Sequence, residues 1–247
     1  MRATHERELY VVSAAGGIEL PRDGFAIAYG PVMADRDSQA HTVNLPLTLG
    51  KLRVEITDSK GATRPARLFW ASAGWGQVNF VVPGESAVGP ARMTIVREDG
   101  SRSTAPITIA DTAPGFWTGV SCRGPAMGSL VQIAADGKTT TSPLSACKSG
   151  QCRTLPVTVT QGVRTRLRLV ASGFRNAASA GKIEATLGGI RVPVVSYAAS
   201  DYPGTDDVTI EIPADMPALG ETDLICRIDG HVSNAVRVRL AAGKPVS

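Results

Sequence analysis

Residues 54–83 read VEITDSKGATRPARLFWASAGWGQVNFVVP, and residues 183–213 read IEATLGGIRVPVVSYAASDYPGTDDVTIEIP. The two stretches close on Pro83 and Pro213, 130 positions apart. Each runs on into a polar turn and another apolar segment, REDGSRSTAPITI at 97–109 and CRIDGHVSNAVRVRL at 226–240. Pro83 to Gly100 is 17 positions, and Pro213 to Gly230 is again 17. Both glycines have serine three residues on (Ser103, Ser233) and alanine five residues on (Ala105, Ala235). Matched offsets within short polar turns mark an internal repeat, so the chain is read as two copies of one unit. The alignment needs a one-residue adjustment around Pro65 and Pro193.

Both copies alternate apolar and polar residues with period two. Leu52, Val54 and Ile56 alternate with Arg53 and Glu55; Val208, Ile210 and Ile212 with Thr209 and Glu211; Val236, Val238 and Leu240 with Arg237 and Arg239. In a strand, successive side chains point to opposite faces, so each run has one face for a core and one for water. Asp99-Gly100, Asp136-Gly137 and Asp229-Gly230 separate such runs and are the composition of a type I′ hairpin. No window has a helical period. Short strands at roughly ten-residue spacing, separated by such turns, predict an all-β protein. We expect two tandem immunoglobulin-like β-sandwich domains, residues 8–112 and 113–243, joined near Thr112-Ala113-Pro114-Gly115. The second is expected to carry extra N-terminal hairpins, within SLVQIAADGKTTT and around Cys147 and Cys152.

With 247 residues and 43% hydrophobic content, the chain can bury two ordinary cores. Aromatics are only 5%, so those cores should be aliphatic. The net charge of +4 is spread along the chain, and nucleic-acid binders concentrate theirs; no nucleic-acid partner is expected. No apolar run approaches the ~18 residues of a membrane span, so no membrane insertion is expected. The opening MRATHERELY has no apolar segment of a secretory signal, and strand-like text follows at once. The expectation is a monomeric fragment cut from a longer extracellular or cell-surface protein. Four cysteines allow three pairings. Cys147 and Cys152 flank a hairpin-like Lys148-Ser149-Gly150-Gln151 turn and are expected to pair, leaving Cys122 and Cys226 as a candidate second disulfide. The alternatives are reduced thiols, with Cys226 a small core residue.

The text from Arg64 to Pro83 resembles a known pattern through Pro65, Leu68, Trp70, Ser72, Gly76, Gln77, Val78, Asn79 and Pro83. That pattern is the one of an acidobacterial, Solibacter-type family of uncharacterised C-terminal domains of large extracellular proteins, which this text resembles. Ala113-Pro114-Gly115-Phe116 and the segments SGFRNAAS and ATLGGIRVPVVSYA are similar to further parts of the pattern. The resemblance covers about residues 9–240 and implies immunoglobulin-like modules with no catalytic residues. Two departures are Asp206-Asp207-Val208-Thr209, where a second Gln-Val-Asn is common, and the cysteines near position 150.

Gln77 and Asn79 should share the face opposite Val78. One reading makes them a polar pair that recognises a sugar or a peptide; the other has them bond backbone groups at a sandwich corner. Trp75 sits in Ser72-Ala73-Gly74-Trp75-Gly76, a loop by composition. It is read either as an exposed ring that stacks on a ligand or as a buried domain–domain anchor. Trp70 is assigned to the core. Arg164, Arg166 and Arg168, with Arg237 and Arg239, form basic stripes that offer either polyanion binding or solubility. Asp35, Asp37, Asp201, Asp206 and Asp207 lack the spacing of a calcium loop, and no metal or other cofactor is expected. GESAVG is not a nucleophile elbow, and His5, His41 and His231 lie in a tail, a loop and a turn. The chain is therefore expected to be no enzyme. Its expected role is adhesion, anchoring or protein–protein interaction, and the rival reading is a carbohydrate-binding module.

Overall fold

The structure, a computed structural model, describes residues 8–31, 33–119 and 123–242. Among the described residues the fold is all-β, with one short 3-10 turn at Ala180–Lys182. Contacts divide the chain into two compact units. The first takes the chain through Asp111 together with Asp201–Thr205; the second takes Thr112–Ser200 and the chain from Asp206 on.

In the first unit the strands are β1 (Tyr10–Ser13), β2 (Glu19–Pro21), β3 (Phe25–Tyr29), β4 (Ser38–Gln39), β5 (Leu52–Thr57), β6 (Thr63–Ser72), β7 (Gln77–Val81), β8 (Gly89–Arg97) and β9 (Arg102–Ala110). The hydrogen-bonded path runs β1-β3-β7-β6-β5-β8-β9-β2, with β4 on β6. All neighbours are antiparallel except β2 and β9. Strand β6 belongs to both layers: its first half pairs with β5 and its second half with β7. One buried cluster takes Ala26, Ala28, Val78 and Phe80 from one layer and Val54, Ile56, Met93 and Ile95 from the other. This is the arrangement of a β-sandwich, in which each ladder turns alternate residues into the core.

The alternation is visible strand by strand. Leu52, Val54 and Ile56 are buried, with Arg53 exposed and Glu55 half-buried. The pattern breaks once, in β6. Leu68 faces Phe80 and Trp70 faces Asn79, so Phe69 is an extra residue with no partner of its own. Such a bulge shifts the phase of everything after it by one. Leu68 and Ala71 are both in the core, and Trp70 is half-buried on the other face. The core assignment of Trp70 is thereby corrected: unbroken alternation from Leu68 would have turned Trp70 inward, and the bulge turns Ala71 inward instead.

The strands of the second unit are β10 (Gly115–Phe116), β11 (Gly124–Pro125), β12 (Gly128–Ile133), β13 (Thr139–Pro143), β14 (Ser145–Lys148), β15 (Gln151–Thr154), β16 (Pro156–Thr158), β17 (Arg164–Ser172), β18 (Ile183–Leu187), β19 (Ile190–Val192), β20 (Val194–Ala199), β21 (Asp206–Ile212), β22 (Gly220–Ile228), β23 (His231–Val232) and β24 (Val236–Ala241). One sheet runs β13-β12-β17-β21-β20 and another β11-β24-β22-β18-β19. Here β16 lies parallel to β24, as β2 does to β9. Val194 faces Ile210 and Ser196 faces Thr209, so Val195 is the extra residue where Phe69 is in the first unit. Pro193 separates β19 from β20 where β6 is continuous. Asp206, fully buried, accepts from the Phe174 and Arg175 amides and pairs with Arg175 at 2.6 Å.

The turns correct one expectation. Of the three Asp-Gly turns, only Asp229-Gly230 has positive φ at both residues, as type I′ requires. At Asp99-Gly100 and Asp136-Gly137 only the glycine does, and the aspartate accepts from the amide two residues on.

Cys147 and Cys152 are directly opposed in the β14–β15 hairpin and form a disulfide. The candidate second disulfide does not form: Cys226 is a free thiol with 0% exposure. It is an inward residue of β22 packed in the aliphatic core. Cys122 lies outside the described residues. Burial pushes the Cys226 thiol up to about 12, so its thiolate is not populated near neutrality. Peptide mapping after alkylation without reduction should find Cys147 and Cys152 linked and Cys226 modified only in denaturant. Rapid native alkylation of Cys226 would contradict its placement.

Candidate functional site

The sheet of β1, β3, β7 and the second half of β6 has one face in the core and one outside it. Ladder partners share a face, so the outer face can be read from the register. One row crosses the strands as Tyr10, Tyr29, Gln77 and Ser72. The next runs Val12, Ile27, Asn79, Trp70 and Gln39. Neither row contains Lys, Arg, Asp or Glu.

Gln77 and Asn79 lie side by side on β7, as expected. The corner reading of this pair is corrected: the Gln77 Nε2 donates to Asn79 Oδ1 at 2.7 Å, and neither side chain bonds the backbone of another described residue. A bond between two primary amides uses one N–H and one carbonyl. The Asn79 amino group and the Gln77 carbonyl therefore keep donors and an acceptor for something else. Both residues are half-buried, so these groups are fixed and yet reachable.

Trp75 lies in the turn between β6 and β7 and is 71% exposed. Within its own unit it is not packed as an anchor would be. Its turn is nonetheless held. Asp37 Oδ1 accepts from the Ser72 hydroxyl and from the Ala73 amide, both at 2.8 Å. The Trp75 amide donates to Ser72 Oγ at 3.3 Å. Gly76 has φ +58°, its carbonyl accepts from the Gly30 amide at 2.9 Å, and a Cβ there would meet the Gly30 carbonyl oxygen at 2.2 Å. An exposed indole on an anchored turn that leads directly into the strand of an ordered amide pair is a preorganised contact. Trp70, across from Asn79, belongs to the same face. Sequence reasoning missed it because the Phe69 bulge has no signature in the alternation.

The corresponding face of the second unit differs in chemistry. Asp207 and Thr209 stand on β21, 130 positions after Gln77 and Asn79. Two arginines of the basic stripe beside them are neutralised: Arg166 pairs with Glu211 at 2.8 Å, and Arg168 pairs with Asp207. Arg237 stands 3.9 Å from Glu221. Of the carboxylates considered for calcium, Asp206 is engaged by Arg175, Asp37 by the turn, Asp207 by Arg168 and Asp35 by Lys51 at 3.9 Å. Among the described residues no group of three or more His, Cys, Asp or Glu could hold a metal ion. His231 Nδ1 lies 2.6 Å from the Thr112 carbonyl, and His5 lies outside the described residues. Two clefts, of about 400 and 370 Å³, border Pro65 in the first unit and Pro193 in the second, where each sandwich changes layers. Their recurrence at matched places makes them products of the architecture.

No protein-family model matches the sequence, and no curated protein matches it. Among solved structures the chain is similar to SGBP-B of the Bacteroides ovatus mixed-linkage glucan utilization locus, in complex with a mixed-linkage heptasaccharide. The identity is 12% and the TM-score 0.35, over 91% of this chain and 44% of that one. This chain thus spans less than half of that protein's length.

The anchor of the Trp75 turn makes a pH prediction. Hydrogen bonds from Ser72 and then from the Ala73 amide hold the Asp37 carboxyl below its ordinary 3.8. A depressed folded value means the anchor is complete above pH 3.8 and is lost as pH falls through the lower folded value. The Ala73 amide resonance should therefore titrate with a midpoint below 3.8 and be insensitive to pH above neutrality. A midpoint at or above 3.8, or no titration, would show that Asp37 does not hold the turn.

Proposed function

We propose that this chain is a non-catalytic extracellular recognition module, two tandem immunoglobulin-like sandwiches from the C-terminal part of a larger protein, and that its first unit binds polysaccharide. The observation that carries the reading is the Gln77–Asn79 amide pair, ordered by its own hydrogen bond, on the strand that follows the turn of the exposed Trp75. Sugar recognition needs an aromatic face for the apolar side of a pyranose and fixed donors and acceptors for its hydroxyls. This face has both. The domain reading is supported by the recurrence of ladder order, parallel edge strand and bulge in the two units. The compartment is supported by the Cys147–Cys152 disulfide, since such bonds persist in oxidising surroundings. The resemblance to Solibacter-type C-terminal domains points the same way.

The test is retention on polysaccharide in native affinity gels. Trp75→Ala should abolish the retention of the parent protein. It should leave Tm within about 3 °C, because exposed substitutions change stability by less than ~0.5 kcal/mol. No retention of the parent on any polysaccharide, or unchanged retention of the variant, would sink the proposal.

A further inference from the structure

We infer that the ligand is a neutral polysaccharide lying as an extended chain across the strands of the first unit's outer sheet, with the stacked Tyr10–Tyr29 pair as a second aromatic contact. The inference rests on the polysaccharide reading above and gives it a ligand class, a direction and a further subsite.

The Tyr10 and Tyr29 rings stack with centroids 5.4 Å apart and planes 27° from parallel. They are ladder partners on β1 and β3, and Tyr29 is in turn the partner of Gln77 on β7. The row that holds the amide pair's glutamine therefore continues into two aromatic rings. Tyr10 is 54% exposed, although an isolated exposed tyrosine on an edge strand gains nothing from the fold. Stacking holds both rings before any ligand arrives, which lowers the entropy cost of ordering them on binding. Strands lie ~4.8 Å apart, so a row from β1 to β6 spans roughly 14 Å. That length fits several linked sugars rather than one. The aromatic contacts are distributed along it, with the Tyr10–Tyr29 pair at one side and the Trp75 turn at the other.

Charge selects the class of polymer. The two rows carry no ionisable carboxylate, ammonium or guanidinium, and the nearest turn is anchored on the Asp37 carboxylate. A uronate or sulfate would meet no cation within these two rows and would lie near an anion; the guanidinium of Arg67, one row further on this face, is already bonded to Asn44 Oδ1 and the Leu45 carbonyl. A neutral chain of pyranoses with equatorial hydroxyls instead offers C–H faces to the rings and hydroxyls to the amides. The matching face of the second unit shows the contrast, since Arg166 and Arg168 there are consumed by Glu211 and Asp207.

Affinity electrophoresis would use hydroxyethyl cellulose and galactomannan as neutral polymers, with polygalacturonate and alginate as anionic ones. Glucose and cellotetraose would serve as soluble competitors. The expected result is retention on at least one neutral polymer and on neither anionic one. Tyr10→Ala should weaken retention about tenfold, and Tyr10→Phe, which keeps the stack, should restore most of it. Cellotetraose, and not glucose, should compete for hydroxyethyl cellulose. Thermal melting of the Tyr10 variants separates a binding loss from misfolding. Retention on the neutral and anionic polymers alike, or retention lost with Trp75→Ala and untouched by Tyr10→Ala, would overturn this inference and leave polysaccharide recognition standing. Absence of all retention would overturn both.

Discussion

In a β-ladder the side chains alternate between faces, and one unpaired residue exchanges the two sets from that point on. The face that the first unit offers to solvent depends on such a residue. Phe69 stands without a ladder partner between Leu68 and Trp70. It lets β6 bend from one layer to the other and moves Ala71 into the core in place of an indole. The exposed consequence is a row in which Trp70 faces Asn79, next to a row in which Gln77 joins Tyr29 and Tyr10. Without the bulge, Trp70 would be buried and the aromatic character of the face confined to its ends.

The second unit shows that the backbone device and the surface chemistry are separable. It has the bulge at Val195 and the same ladder order around β21. Its outward residues are Asp207, Thr209 and Glu211, two of them locked by arginines. A salt-bridged ladder of this kind keeps a face soluble and contributes little to stability. The amide and aromatic face of the first unit has no such internal use. Its amides bond each other and still keep unsatisfied groups, and its most exposed ring sits on a turn fixed by Asp37 and Gly76.

Much of this was legible in the residues. Period-two runs such as Leu52-Val54-Ile56 gave the all-β character because burial must follow the alternation wherever the ladder is regular. The spacing of Cys147 and Cys152 around a turn gave their disulfide. Gln77 and Asn79 on one face followed from their spacing, and Trp75 in a loop from its glycines. Their mutual hydrogen bond did not follow, because backbone groups were equally plausible partners. Trp70 was misplaced because a bulge is a tertiary solution to bending a strand and leaves no mark in a short sequence window. The Tyr10–Tyr29 stack was invisible for another reason: it joins positions nineteen apart whose register only the folded sheet defines. Cys226 was offered a covalent partner by arithmetic alone, where its place in an alternating strand marked it as a core residue.

The central claim is that the bulge at Phe69 creates a neutral, aromatic and amide-bearing face that takes up a sugar chain. It is tested most directly by following side-chain NMR resonances of the isotope-labelled protein during titration with cellotetraose. The account predicts shifts at the Gln77 and Asn79 amides and at the Trp70 and Trp75 indoles. It predicts none at Thr209 or at the Trp117 indole. Shifts confined to the second unit, or a Trp70 indole that stays silent while Trp75 responds, would contradict it.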